Sequence, residues 1–517
     1  EAIMSGIKKL MKTNKITILG GGSAGWMAAA TLISQFPNKE ITVVESPNIP
    51  TVGVGESTLG YINEWLDLLD IKDEDFMPHT DASYKLSIRF ENFYKKGDGG
   101  FHYPFGSVIE NDKIGSKQLW FLKKYLNPNT PITNYADSLY QNMALVNNNV
   151  LFKNENKELD TFNFKSDVAY HFDATKFGLW LKEQYCKPRG VKHILDDIVS
   201  IEQDENGIKS LNNRYTADLF IDCTGFKSVL LGNALREKFN SYSHLLPNNK
   251  AWATRVPYKD KEKELVPYTN CTAIENGWVW NIPSWERIGT GYVYSDKYVT
   301  DVEALEEFKR YLDSKGTDYS KSQFKCIKMR VGRHDRLFVK NVCAIGLSAG
   351  FIEPLESNGL LSVHEFLINL VKVMKRGDED TISQWDRDNF NVECCRFFDE
   401  FTEFVSLHYA LSHRDDTKYW KDVSNKSFYN NRLCDDSIKA DILTKMNDYE
   451  WFKSDSGHHC VGVGLRYFGI DVLKTNVTDD VKFKIALREK EVNKWNIICK
   501  DKPKLLDYLK QNIHTKV

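Results

Sequence analysis

The sequence predicts an α/β fold whose first half is built around a parallel βαβ unit. Three observations predict it. Ile16-Thr17-Ile18-Leu19 is a short apolar run of buried-strand type. It passes through Gly20-Gly21-Gly22-Ser23-Ala24-Gly25 into an alanine-rich helical stretch, 26–32. Ile41-Thr42-Val43-Val44-Glu45 is a second such strand, after a crossover of the length that joins parallel neighbours. Downstream, strand patterns near 82–90, 191–202, 217–222, 277–283, 289–295 and 341–346 alternate with helical patterns near 59–69, 173–186, 302–314 and 359–375.

From about residue 385 onward the chain reads mostly helical, with loops near 412–430 and 454–464. The resulting division is a leader or vector remnant at 1–10, a core module at 11–385 and a helical C-terminal region at 386–517. Met11 reads as a native start, and residues 1–10 lack the apolar stretch of a secretory signal.

Composition narrows the function. The chain has 517 residues, 42% hydrophobic and 27% charged, which suits a packed core rather than disorder. Lys and Arg number 69 against 71 Asp and Glu, a net charge of −2, so there is no electrostatic footprint for nucleic acid. No apolar run approaches the roughly 20 residues of a membrane span. The ten cysteines form no C-x-x-C pair, which argues against zinc and against a disulfide framework. These features predict a cytoplasmic protein with reduced thiols and no metal, acting on something small.

Gly20, Gly22 and Gly25 fit G-x-G-x-x-G in its required place between strand and helix. The first allows a tight turn, the second lets a pyrophosphate approach the backbone, and the third lets helix and strand pack closely. With Ser23 and Ala24 they open a helix whose positive end suits phosphate. Glu45 lies 20 residues beyond Gly25, where a carboxylate can accept from a ribose hydroxyl. The alternative is a glycine-rich turn without a ligand. Two later segments favour FAD over NAD. Residues 217–226 form a strand ending in Thr224-Gly225, and 344–350 carry a strand into a loop with Gly346 and Gly350. Gly55 and Glu56, in Val52-Gly53-Val54-Gly55-Glu56-Ser57, add small and acidic groups toward the flavin.

Gly277-Trp278-Val279-Trp280-Asn281-Ile282-Pro283 gives the reading its sharpest point. Together with Gly20 to Gly25 it resembles the W-x-W-x-I-P signature of flavin-dependent halogenases of the tryptophan-halogenase type. The resemblance runs through residues 52–58, 84–90, 169–173, 217–226, 291–295 and 351–359, and covers most of 14–415. It implies a three-layer, Rossmann-like FAD-binding fold with an interleaved substrate-binding sheet. It also implies FADH2 supplied by a separate flavin reductase, a halide ion and a small aromatic substrate; a homodimer is compatible with it. Trp278 and Trp280 alternate along a strand and share a face. Core packing explains them, and the resemblance adds that they keep flavin and organic substrate apart.

The resemblance places the catalytic lysine at Lys85 and a second catalytic group at Glu356. By alternation alone, Lys85 falls with Ser87 and Arg89 on what reads as a solvated strand face. With the resemblance, it ends a tunnel from the flavin, where its ammonium hydrogen-bonds hypohalous acid or its amine forms a haloamine. Glu356 precedes an apolar helix, and capping by Ser357 or Asn358 is the simpler account of that stretch. The resemblance makes Glu356 the group that polarises hypohalous acid and takes the ring proton. It gives the backbone amides of Asn358 and Gly359 to the halide. Asn358 stands where the family usually has threonine, which bears on halide preference and favours bromide or iodide over chloride. The substrate-stacking run corresponds to Phe101-His102-Tyr103-Pro104-Phe105, with His and Tyr exchanged, leaving Tyr103 and Phe105 to stack. The family's remaining substrate aromatics fall in the region of Trp451 and Phe452, where no residue-by-residue match is drawn. Two rival readings are a flavin-dependent aromatic monooxygenase and an inactive flavin-binding scaffold.

Overall fold

A computed structural model describes residues 10–49, 55–109, 116–424, 456–467 and 477–515. Residues 52–54 of the Val-Gly-Val-Gly stretch, Trp451, Phe452 and Cys434 lie outside the described residues. The chain divides into two compact units, each assembled from three segments. The first comprises Glu1–Ala82, Phe172–Leu246 and Lys328–Thr402; the second comprises Ser83–His171, Pro247–Ile327 and Glu403–Val517.

The first unit is centred on a six-stranded sheet in the order Phe338–Val339, Val342–Ala344, Leu219–Asp222, Lys15–Leu19, Glu40–Glu45, Lys192–Leu195. Lys15–Leu19 is parallel to both neighbours, with Ile18 opposite Val43 on one side and Ile221 on the other. Ile16, Ile18, Val43 and Ile221 are fully buried, as expected of a parallel sheet covered on both faces. The helix Ser23–Gln35 follows the glycine loop, and its Ala28-Ala29-Ala30 run is fully buried. The strand predicted at 191–202 is two strands, because Asp196 and Asp197 interrupt it. Asp196 accepts from the Tyr215 hydroxyl at 2.6 Å, and Asp197 accepts from the Ser46 hydroxyl and the Asn48 amide. The chain resumes as Ile201–Asp204 in a hairpin with Gly207–Leu211. The helix predicted at 173–186 runs as Ala174–Trp180 and then widens over Leu181–Cys186, with Asp173 accepting from Lys176 N as its cap.

The second unit is centred on a seven-stranded sheet in the order Lys325–Lys328, Lys250–Val256, Ile288–Tyr294, Gly277–Pro283, Tyr268–Ile274, Ser87–Glu91, Gly100–Pro104. The helix Asp301–Ser314 covers part of it, packing Phe308 and Leu312 on Val279, Tyr292 and Tyr294. Its start is a capping box in which Thr300 and Glu303 bond each other's backbone. The strand predicted at 82–90 breaks at Leu86. Ser83–Lys85 pairs with the strand Ala169–Asp173 in a separate sheet, whereas Ser87–Glu91 joins the large one. Leu86 pivots between them, donating its N–H to Pro267 O and accepting from Phe105 N. The predicted shared face of Lys85, Ser87 and Arg89 therefore does not form, and Lys85 is fully buried rather than solvated.

Every described element after residue 383 is a helix, from Gln384–Ala410 to Leu505–Asn512. No described helix is long and apolar enough to cross a membrane. The nine described cysteines are unpaired thiols. Burial pushes Cys186, Cys223, Cys343 and Cys394 well above the ordinary thiol range.

Trp280 lies across Gly291 on the adjoining strand, where an added Cβ would meet its ring carbons at 2.1 Å and Trp252 O at 2.7 Å. Gly291→Ala should therefore overpack this sheet and cost about 1–3 kcal/mol. A lower urea midpoint of unfolding than the parent's checks this.

Candidate active site

The glycine loop is held by close backbone approaches. Gly20 has φ +117°, and a Cβ there would lie 2.2 Å from the carbonyl oxygen of Cys223. A Cβ on Gly25 would lie 1.9 Å from the carbonyl oxygen of Gly20. Gly22 is the N-cap of Ser23–Gln35 and makes no side-chain capping bond, so the first amides of the helix lack an intrahelical acceptor. Gly346, at φ +78°, comes against this loop: a Cβ there would be 3.0 Å from that of Ala24. Gly350 lies on a short strand of its own. It pairs with Arg333, and a Cβ would meet Gly332 O at 2.7 Å.

Glu45 ends its strand over Gly21, whose added Cβ would sit 2.2 Å from the carboxyl carbon. Its Oε2 is 2.7 Å from His193 Nε2 and 3.8 Å from Lys182 Nζ, and His193 meets the Trp26 ring edge-on at 5.3 Å. His193 and Lys182 were not evident in the sequence, because each lies more than a hundred residues from Glu45 and neither belongs to a motif. Glycines with no room for a side chain, opening helix amides without intrahelical acceptors and a carboxylate one strand away fit the pyrophosphate and ribose of FAD.

The strand Leu219–Asp222 supports the same region. Asp222 is fully buried and accepts from Thr224 Oγ1 at 2.6 Å and from the amides of Leu230 and Leu231 at 2.8 and 2.9 Å. These bonds fasten the Thr-Gly corner to the end of the strand.

The segment Pro354–Glu356 is a single tight turn, closed by Ser357 in the left-handed region at φ +56°. Asn358 is the N-cap of the helix Gly359–Met374. Glu353, Glu356 and Asn358 are all buried. Simple capping does not account for Asn358: it makes no side-chain capping bond, and its Oδ1 has no hydrogen-bond partner among the described residues. Ser357 Oγ reaches Ser57 Oγ at 3.2 Å. Glu56, on the strand Gly55–Ser57, has Oε2 3.6 Å from where a Cβ on Gly359 would stand. The residue keeps part of its surface accessible, yet burial around its carboxyl, with the Asp173 carboxylate nearby, pushes it up to about 8.

The second unit carries the other residues. Lys85 pairs with Ala169, and its Nζ is 5.1 Å from the centre of the Phe105 ring. Ser83 pairs with His171, which places His171 diagonally across from Lys85 on the same face. His171 Nδ1 is 3.0 Å from Pro283 O, which can only accept, so this nitrogen carries the proton; Nε2 accepts from Thr269 Oγ1 at 2.8 Å. Burial and the charge of Lys85 hold His171 well below the usual imidazole range, so it is neutral. It ties the end of the Trp278–Trp280 strand to the strand beside Lys85. The sequence contained it within 169–173 but gave no sign of this role.

The aromatic run lies along the strand Gly100–Pro104 and the residue after it. Alternation along Gly100–Pro104 sets Tyr103 with Phe101 and Phe105 and turns His102 away, onto Ser87 Oγ at 2.9 Å. Burial and the charge of Arg89 push His102 down to about 3. Tyr103 meets both Phe105 and Phe404 edge-on at 6.3 Å. Gly457 closes on Tyr103, leaving 3.1 Å to an added Cβ. Trp278 and Trp280 share a face with ring centres 6.4 Å apart; both are mostly core residues, at 0% and 8% exposure.

Comparison with known proteins shows the family. The tryptophan halogenase family model matches residues 15–467. Tryptophan 6-halogenase SttH of Streptomyces toxytricini is 35% identical, over 80% of this chain and 81% of its own. Tryptophan 7-halogenase RebH of Lentzea aerocolonigenes is 34% identical, over 88% and 90%. Among solved structures, VirX1 in its apo form superposes with a TM-score of 0.88 at 37% identity, covering 97% of this chain and 100% of that one. The extent of these matches means that the chain belongs to the tryptophan halogenase family and is an FAD-dependent halogenase.

Proposed function

We propose that the protein halogenates an electron-rich aromatic ring of the indole or phenol type with hypohalous acid. Reduced FAD, delivered by a separate flavin reductase, supplies the two electrons with which oxygen and halide become hypohalous acid and water. The observation that carries the reading is Lys85: a fully buried lysine beside the Phe105 ring, in a family with tryptophan halogenases among its members. A lysine has little reason to be buried for packing alone.

Gly20, Gly22, Ser23, Ala24 and Gly25 hold the FAD pyrophosphate at the helix amides, and Glu45 accepts from its ribose. Gly55, Glu56, Gly346 and Gly350 border the rest of the cofactor. The amides of Asn358 and Gly359 hold the halide. Lys85 receives hypohalous acid and donates hydrogen bonds to its oxygen. In the substitution the O–X bond breaks and a C–X bond forms at the ring carbon. The ring proton passes to Glu356 and from it to the displaced hydroxide, which leaves as water. Tyr103 and Phe105 stack on the ring, while Trp278 and Trp280 keep the substrate away from the flavin. The direct test is incubation with reduced FAD, oxygen, each halide and a panel of indoles and phenols, read by mass. Hydroxylated products in place of halogenated ones would favour a monooxygenase.

Gly22 has extended backbone angles that any residue adopts, so Gly22→Val should fold normally. Its side chain would occupy the phosphate position, and flavin titration should show affinity at least about tenfold weaker.

Lys85→Ala should abolish halogenated product while reduced-flavin oxidation continues, with hypohalous acid recovered by a trap in solution. Glu356→Gln should slow halogenation by about 10²–10⁴, the usual value of general acid–base help.

Bromide or iodide should be used more efficiently than chloride, because Asn358 reshapes the wall beside the halide amides. Asn358→Thr should narrow that gap. Competition at equimolar halide measures both.

A further inference from the structure

The opening of the helix Gly359–Met374 brings two opposed tendencies together. Its first amides have no intrahelical acceptor, and its first turn carries no acidic residue. Asn358 is 4% exposed with Oδ1 unbonded among the described residues. This is an anion-seeking end. Yet the Glu56 carboxyl faces it, with Oε2 3.6 Å from the Cβ position that Gly359 leaves empty. A carboxylate there would neutralise the helix end and repel a halide. A carboxylic acid there would donate a hydrogen bond to one.

We propose that Glu56 forms an acidic wall of the halide site: as the neutral acid it donates to the halide held by the Asn358 and Gly359 amides, and as the carboxylate it takes the halide's place. This rests on the halide reading given above. Burial and the Asp173 carboxylate push Glu56 up to about 8, so the acid is the major form at pH 7. The other titratable groups on the adjoining elements include Glu353 and Glu356 in the turn before the helix, His364, Glu365 and Lys372 within it, Glu64 and Asp67 on the helix Ile62–Leu68, and Tyr170 and His171 on the strand Ala169–Asp173. His364 is fully buried and pushed down to about 3, so it stays neutral.

Below about pH 8 halide binding should be independent of pH. Above it, each halide bound must be accompanied by one proton taken up, so affinity falls by about tenfold for each further step of one in pH.

The test is calorimetric titration of the FAD-loaded protein with sodium bromide between pH 6.5 and 9.5. The wild type should lose affinity with that slope above about pH 8, and Glu56→Gln should bind bromide with no such loss. Asp173→Asn keeps an acceptor for Lys176 N but removes the charge, so its loss should begin at lower pH. This variant carries the test if Glu56→Gln misfolds. A pH-independent wild type would overturn the proposal, as would an unchanged slope in Glu56→Gln or a slope abolished only by Glu356→Gln. Absence of saturable bromide binding in the wild type at pH 6.5 would overturn the halide reading itself.

Discussion

A carbonyl oxygen with no side chain in front of it organises the first unit. Cys223 O leaves the central sheet against Gly20, and Gly20 O in turn faces Gly25, at distances that only glycine allows. Those two approaches bring the helix Ser23–Gln35 down onto the strand that precedes it. They leave its opening amides at the ends of three parallel strands, the usual ligand position in such sheets. Glu45 over Gly21 and Gly346 against Ala24 then complete a rim around the same amides. Remove the close approach and each of these groups loses its reference point.

The second unit solves a different problem, that of enclosing a lysine. Burying an ammonium is costly unless polar or aromatic groups face it. Phe105 offers its ring to Lys85, and the neutral His171 shares the strand-pair face without adding a like charge. His171 remains neutral because burial penalises its charged form and the Lys85 charge opposes it, outweighing the backbone hydrogen bond to Pro283. The break at Leu86 makes this possible: it sends Lys85 into a small sheet while its neighbours two residues on enter the large one.

The parts legible in the sequence are those governed by local chemistry. Strand 277–283 and the helices near 302–314 and 359–375 lie where periodicity set them, within a residue. The glycine spacing revealed the cradle because close approach demands glycine itself. What escaped was set by distant partners. Leu86 interrupts no apolar alternation; the chain bends there because Pro267 and Phe105 take its backbone hydrogen bonds. Alternation alone set Lys85 on a solvated face, because no local pattern records that Ala169 pairs with it and Phe105 lies against it; only the family resemblance enclosed it. His193 and Lys182 at Glu45, and Asp173 near Glu56, are brought in by the fold alone. The sequence showed the exchange of His102 and Tyr103 and left Tyr103 and Phe105 to stack, without showing where the histidine goes. Strand alternation shows that the exchange moves the tyrosine onto the phenylalanine side and commits the histidine to Ser87.

The thiols give the fold another meaning. A catalyst that generates an electrophilic halogen works in the presence of its own most oxidisable side chains. Sulfur is attacked chiefly as thiolate, and access governs how far it proceeds toward sulfenic and sulfinic acid. Cys186, Cys223, Cys343 and Cys394 are enclosed and kept in the thiol form by the same apolar surroundings. Core packing thereby serves as corrosion protection, and the working lifetime of the molecule depends on how seldom those interiors open.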